Sequence, residues 1–380
     1  MVPQDGTAFF MLYVHIPYCH HKCSYCGFYS VAGHRDTQDY VDALCCELKI
    51  RRTDKPLKTI YFGGGTPSLL PVRQLEQIIL TIRDNYNLSQ LEEVTLEANP
   101  ENLTPQYLDE IARFGLFNRL SVGVQSFVDV ELKMLNRVHS RQQASDAIRS
   151  AANAGFTNVS IDLIMGLPLP YRVGLQNSLT VLDELLPLGV IRHLSCYELT
   201  VEQGTILDRQ LQMGRLIMPN DEIVVSDYEV LREWCKTRGF EQYEVSNYCQ
   251  PGWRSRHNSR YWNRTPYIGA GAAAHSFEGL SRRWNVSDIE RYIAGAKVGD
   301  IPYEEEILSA ADAYNEYVMT ALRTIEGIDK AMVPEEYRSV LSKSIQFALK
   351  EGLVEETHTH YRPTTEGLLK ADGIAARLFV

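Results

Sequence analysis

Six short β-branched runs, each followed by a stretch of helical periodicity, leave this chain few architectures to choose from. The runs are Leu12–Ile16, Thr59–Phe62, Val94–Glu97, Arg119–Val124, Val159–Met165 and His193–Tyr197. Between them, Asp39–Arg51, Gln74–Tyr86, Pro105–Phe114, Ser140–Ala154 and Gln176–Leu186 carry apolar residues three and four positions apart, the spacing of one helix face. Strand then helix, repeated, predicts parallel strands with the helices as crossovers. Several runs read as apolar or small on both faces, as expected where helices cover one side and a barrel interior fills the other. Six units fall short of the eight that close a barrel, so the expectation is an α/β fold built on a partial (β/α)6 barrel with an open side. Such folds place chemistry at the carboxyl ends of their strands.

The alternation ends near residue 210. A helical stretch (Asp221–Arg238), a strand-like Tyr243–Tyr248 and a Gly/Arg/Trp-rich region to about Trp284 read as an extension or cap, and from Leu308 helices alternate with hairpin-like turns in a winged-helix-like pattern. The expected units are therefore 1–210, 211–303 and a mixed accessory domain, 304–380. Winged helices often bind DNA, but residues 304–380 hold 14 acidic against 8 basic side chains, a balance that repels phosphates. The whole chain, at a net charge of -10, argues equally against nucleic acid or an anionic surface held by bulk electrostatics. No run approaches the roughly 20 apolar residues of a membrane span, which leaves only peripheral membrane contact open. No export signal precedes Phe9–Leu12, and Met11 can serve as an alternative start, with the first ten residues a dispensable tail. A cytoplasmic location follows. In that reducing compartment eight cysteines are not a disulfide framework, and Cys45, Cys46, Cys196, Cys235 and Cys249 read as small buried apolar residues.

The other three cysteines carry chemistry. Cys19, Cys23 and Cys26 lie in a CxxxCxxC run within His15–Phe28. That spacing suits three thiolates around one corner of a 4Fe-4S cube, leaving the fourth iron open. An open iron is what S-adenosylmethionine needs to chelate through its amine and carboxylate. The alternative is a Cys3His zinc site completed by His20 or His21, although structural zinc usually draws its ligands from two separate knuckles.

Further motifs sit at strand ends. Gly63-Gly64-Gly65-Thr66-Pro67 exposes bare backbone and a hydroxyl, or is only a tight turn ahead of a helix. Glu97 can accept from an ammonium or a diol, or simply anchor a turn with Asn99 and Pro100. Gln125 and Arg137 would suit a carboxylate and Asp162 could orient either, with a buried ion pair as the plain alternative.

These motifs together with Gly123-Val124-Gln125-Ser126-Phe127 and Asp162-Leu163-Ile164-Met165-Gly166-Leu167-Pro168 resemble the radical SAM family, in the branch of oxygen-independent coproporphyrinogen III dehydrogenase and its HemW-type haem-chaperone relatives. The resemblance spans nearly the whole chain. It implies a 4Fe-4S cluster on Cys19, Cys23 and Cys26 and S-adenosylmethionine at Tyr13, Gly64, Gly65, Thr66, Glu97, Gln125, Arg137 and Asp162.

Two departures separate the branches. Phe28 stands where the dehydrogenase carries a fourth cysteine, and only twelve residues precede Tyr13 where the dehydrogenase has a longer arm. Both point to the HemW type: a haem chaperone delivering to an acceptor protein, with a radical oxidoreductase acting on a porphyrinogen as the alternative. In His257-Asn258-Ser259-Arg260-Tyr261-Trp262, the imidazole of His257 would ligate haem iron and Tyr261 and Trp262 would stack on the macrocycle. The same residues could instead pack the extension against the barrel. Arg254, Arg256 and Arg260 would pair with propionates, and His275 is a second candidate ligand.

Overall fold

The computed structural model describes residues 9–33 and 36–380. Six parallel strands, β1 (Phe10–Ile16), β2 (Leu57–Gly64), β3 (Glu93–Ala98), β4 (Arg119–Gln125), β5 (Val159–Met165) and β6 (Ile191–Glu198), lie side by side in chain order. Helices α1 (Gln38–Ile50), α2 (Val72–Asn85), α3 (Pro105–Arg113), α4 (Arg141–Asn153) and α5 (Leu175–Leu185) connect them. This is the expected (β/α)6 arrangement, and the sheet does not close on itself.

The strands alternate strictly. Leu12, Val14, Ile16, Ile60, Phe62, Val94, Leu96, Leu120, Val122, Ile161, Leu163 and Leu194 join the helices in one apolar core. The opposite positions turn inward and are mostly polar: Tyr13, Thr59, Tyr61, Thr95, Glu97, Arg119, Ser121, Ser160, Asp162, His193 and Ser195. The expectation of strands apolar or small on both faces is corrected here, because the interior is a hydrogen-bonded layer and not a second apolar core. His193 illustrates it. Its Nδ1 lies 2.8 Å from Ser160 Oγ and 3.5 Å from Arg119 Nη2, and its Nε2 is 2.7 Å from the Tyr243 hydroxyl. Burial and the Arg119 charge together keep the ring neutral.

The first ten residues are not all dispensable. Phe10 opens β1, is buried, and lies under the Lys55 ammonium, while Phe9 sits beneath Lys58 and Arg260. Residues 1–8 of that tail lie outside the described residues.

Beyond β6 the chain enlarges the same sheet. Asn247–Cys249 pairs antiparallel with β6, and on the far side β7 (Tyr267–Ala270) pairs parallel with β1, followed by antiparallel β8 (His275–Glu278), β9 (Ser281–Asn285) and β10 (Tyr303–Ile307). The strand expected over Tyr243–Tyr248 is interrupted. Glu244 turns back to accept from the Ser246 amide and the Asn247 side chain, leaving only the end of that run to pair. Between these pieces lies a short helix, α6 (Arg256–Trp262). The C-terminal part has its own core around helix α7 (Ala310–Leu322), with a three-stranded sheet formed by Ile328–Asp329, Val354–Glu356 and His360–Pro363.

One buried carboxylate ties the added strands to the barrel. Glu47 of α1 accepts from the Gly271 amide at 2.7 Å, the Asn285 amide at 2.7 Å and the Tyr292 hydroxyl at 2.6 Å, with Arg51 at 3.4 Å. Removing it takes the acceptor from three buried donors, while Arg51 keeps its bonds to Gly269 O and Ser276 Oγ. Glu47→Ala is expected to lose roughly 3–5 kcal/mol of unfolding free energy in denaturant titration, and Glu47→Gln, which keeps one acceptor, clearly less.

Candidate functional site

The cysteine loop leaves β1 through Pro17 and is closed at its base, where Tyr18–Cys19 pairs with Val31–Ala32. Its far side is pinned to the segment after β4. The Ser24 amide donates to Leu135 O at 3.1 Å, the Asn136 amide to Lys22 O at 2.8 Å, and the Leu207 amide to Ser24 O at 2.7 Å. The stretch from His20 to Ser30, with so little internal structure, is thus held in one shape by its neighbours.

Cys19, Cys23 and Cys26 line one cavity of about 670 Å³ at the carboxyl ends of the strands. Gly64, Gly65, Thr66, Glu97, Gln125, Arg137 and Asp162 line the same cavity. Residues from β2, β3, β4 and β5 converge with the loop because each follows or ends a parallel strand. Tyr13 is the exception among the residues expected there. It lies behind the wall, donating to His15 Nδ1 at 3.1 Å and stacked on Tyr61.

Two glycines are required by close approach. A side chain at Gly64, whose φ is +111°, would strike the His15 ring, and one at Gly65 would meet Tyr18 O at 2.6 Å and Cys19 Sγ at 3.0 Å. Gln125 pairs out of register with β5 and holds a left-handed φ of 67°, an unusual conformation for a side-chain-bearing residue and one found at functional sites.

Arg137 is buried and committed in three directions: Nη2 donates to Asn99 Oδ1 at 2.7 Å and Gly123 O at 2.6 Å, and Nη1 to Cys23 Sγ at 3.3 Å. Thr66 donates to Cys19 Sγ at 3.7 Å. Burial raises the thiols of Cys19 and Cys26. A positive cluster core bound to these sulfurs would reverse that tendency, so the donors beside them fit a thiolate-ligated metal group.

The cavity also buries two carboxylates. Glu97 accepts from Tyr61 at 2.7 Å and from the Gly64 amide at 3.2 Å, yet burial, reinforced by Asp162, lifts its pKa to about 7. Asp162 accepts from Ser121 and Ser160, and burial raises it as well despite the nearby Arg119. A cationic ligand beside Glu97 would offset the burial and the Asp162 charge that hold its pKa up.

The haem candidates lie elsewhere. His257 is buried, its Nδ1 2.8 Å from Thr59 Oγ1 and its Nε2 2.9 Å from the Tyr261 hydroxyl, with its ring stacked on Tyr61. In this arrangement neither nitrogen is open to an outside iron. Tyr261 packs edge-on against Tyr267, and Trp262 lies under the Arg323 guanidinium. The arginines expected beside propionates are paired: Arg254 with Glu326, and Arg256 and Arg260 with Glu92. His275 is exposed and stacked on Trp284.

Sequence reasoning missed His15, Tyr61, Asn99 and the serines beside Asp162. His15 and Asn99 were visible inside quoted motifs. Tyr61 and the serines were hidden in strands that read simply as β-prone.

Residues 13–171 match the Radical SAM superfamily and residues 308–369 the HemN C-terminal domain. A protein of Mycobacterium tuberculosis H37Rv named heme chaperone HemW is 35% identical over 388 residues, covering 100% of this chain and 96% of its own length. Proteins of the same name from Bacillus subtilis and Escherichia coli K12 are 34% and 31% identical, each covering 94% of this chain and 96% and 95% of their own lengths. Among solved structures, the coproporphyrinogen III oxidase HemN of Escherichia coli superposes with a TM-score of 0.82 at 22% identity, over 98% of this chain and 90% of that one. That likeness concerns the fold.

The raised acidity constant of Glu97 has a measurable sign. Its neutral form favours the folded state, a contribution complete below the ordinary value near 4.5 and lost as pH rises through about 7. Unfolding free energies of the ligand-free protein, from denaturant titrations between about pH 5 and about pH 8, should therefore decline less steeply in Glu97→Gln, the gap at the alkaline end being on the order of 2–3 kcal/mol. Parallel curves would mean that the carboxylate is ionised throughout.

Proposed function

Because the chain belongs to the HemW family within the radical SAM superfamily, we propose that it is a haem chaperone that holds a 4Fe-4S cluster and S-adenosylmethionine and passes haem to an acceptor protein. The observation that carries this reading is the convergence of three thiols, a glycine-lined wall and two acids raised by burial on one cavity.

Cys19, Cys23 and Cys26 would hold the cluster. A cube with one iron left free of cysteine supplies a chelation point for the amine and carboxylate of S-adenosylmethionine and an electron for its sulfonium. The chain's own residues do the rest. Arg137 donates to the Cys23 sulfur and Thr66 to the Cys19 sulfur, and as cluster ligands those thiolates would carry their negative charge at lower cost. Gly64 and Gly65 let the cofactor approach bare backbone. Glu97 and Asp162 offer acceptors to its ammonium or ribose hydroxyls, and a cationic ligand would offset the burial that raises both acids.

Haem enters this reading through the relatives, which are named heme chaperones. Phe28 favours a chaperone over a porphyrinogen oxidoreductase: where the dehydrogenase has a further cysteine, this chain presents an apolar ring that is 73% exposed. Among the described residues no helix is long and apolar enough to cross a membrane. All eight cysteines are free, which suits the cytoplasm.

Anaerobic reconstitution tests the proposal. Wild-type protein should carry about four irons and four sulfides and show a cluster spectrum that shifts on addition of S-adenosylmethionine, while Cys19→Ser, Cys23→Ser and Cys26→Ser each lose that spectrum. Haem should co-elute with the protein and move to apomyoglobin as a generic acceptor. Zinc without sulfide would refute the cluster, and appreciable decarboxylation of coproporphyrinogen would replace the chaperone with the oxidoreductase.

A further inference from the structure

Helix α6 stands at the point where the barrel interior, the cofactor cavity and the C-terminal part meet. Its amino end is held from within the barrel. The carboxylate of Glu93, at the start of β3, accepts from the backbone amides of Arg256 and His257 at 2.9 Å each, and Ser255 caps the helix. Its carboxyl end is held from outside, where Arg323 covers Trp262 and Arg264 pairs with Glu316 of α7 at 2.7 Å. The helix is therefore a plug clamped at both ends, and the side chains facing the barrel are fixed in place.

Two of those side chains reach the cavity, one directly and one through a neighbour. Asn258 lines it alongside Tyr61, Ser121, Asp162 and Ser195. Among the described residues its side-chain amide has no protein hydrogen-bond partner, so it brings a donor and an acceptor to the cavity wall. Its level is low. The adjoining His257 bonds Thr59 near the start of β2, whereas the cysteines lie beyond the carboxyl ends of the strands. His257 itself stacks on Tyr61 at 4.9 Å between ring centres, and Tyr61 donates to Glu97 at 2.7 Å. The imidazole thus sets the ring that sets the acid.

We infer that α6 serves the cofactor pocket: Asn258 binds the adenosine half of S-adenosylmethionine at the pocket floor, and His257 is a positioning residue that aims Glu97 through Tyr61. The assignment rests on the cofactor reading above. An amide that both donates and accepts suits the edge of a base or a ribose diol, and the methionine half must lie at the opposite end, near the cysteines. Both nitrogens of His257 are hydrogen-bonded inside the protein, so on this assignment haem is bound without it.

The test uses the full chain with its cluster reconstituted anaerobically, titrated separately with S-adenosylmethionine and with haem. Asn258→Ala should weaken S-adenosylmethionine about tenfold, the cost of one well-made hydrogen bond, with cluster absorbance and melting temperature unchanged. His257→Phe keeps an aromatic face and loses both hydrogen bonds; it should weaken the cofactor by a similar factor and blunt the cofactor-induced change in the cluster's EPR spectrum. His257→Gln, which can still donate and accept, should recover part of both. All three should bind haem as the wild type does. Wild-type affinity for S-adenosylmethionine in Asn258→Ala overturns the binding role, and loss of haem by a folded His257 variant that keeps the cofactor overturns the positioning role. Failure of the wild type itself to bind S-adenosylmethionine would refute the cofactor reading and this assignment with it, and is distinguishable because no variant is needed to see it.

Discussion

Placing charged and polar side chains on the inner face of an open row of parallel strands is the constraint to which the rest of this molecule answers. An ordinary barrel of this kind fills its centre with branched apolar residues in layers. Here Arg119, Asp162, Glu97, His193 and three serines occupy those positions: Ser121 and Ser160 bond Asp162, Ser160 also meets His193, and Glu97 accepts from Tyr61 and the Gly64 amide, while Arg119 Nε and Nη1 have no hydrogen-bond partner among the described residues. The stabilising apolar burial is displaced to the outer face of the strands, where the helices supply it. Stability and chemistry therefore occupy opposite faces of the same six strands, and substitutions for one need not disturb the other.

That division explains the placement of the cavity. The polar layer runs up the barrel and ends beneath a loop that has almost no regular structure of its own. The loop is fixed by backbone bonds to the segment after β4 and to Leu207, and one of the residues in that segment, Arg137, also touches a cysteine sulfur. Whatever shifts the 134–137 segment shifts the cysteines too. The open side of the sheet is meanwhile extended by β7 to β10, anchored by Glu47, which reaches across from α1 to the strands and helix that follow Gly271.

Much of this was legible. The six strands and the five crossovers between them could be read because β-branched and amphipathic runs report backbone propensity, which is local. Cys19, Cys23, Cys26, Gly64, Gly65, Thr66, Glu97, Gln125, Arg137 and Asp162 were legible within motifs, and all of them line one cavity. What escaped was the polarity of the barrel interior. Thr59, Tyr61, Thr95 and Ser121 favour strands whether their face is wet, dry or hydrogen-bonded, so propensity is silent about what they meet. His257 escaped for a related reason: a histidine beside tyrosine and tryptophan describes an exposed ligand and a buried hydrogen-bonded ring equally well. Its partner Thr59 lies 198 residues away.

By itself, then, the order of residues determined the repeating unit, the direction of pairing and the end of the barrel where chemistry collects, since each follows from periodicity and chain connectivity within a few dozen residues. Tertiary structure alone decided which acids face each other, which thiol meets Arg137, and whether an imidazole points into the protein or out of it. Those outcomes depend on distances between side chains far apart in sequence, and on how much water remains between them once the strands and helices have packed together.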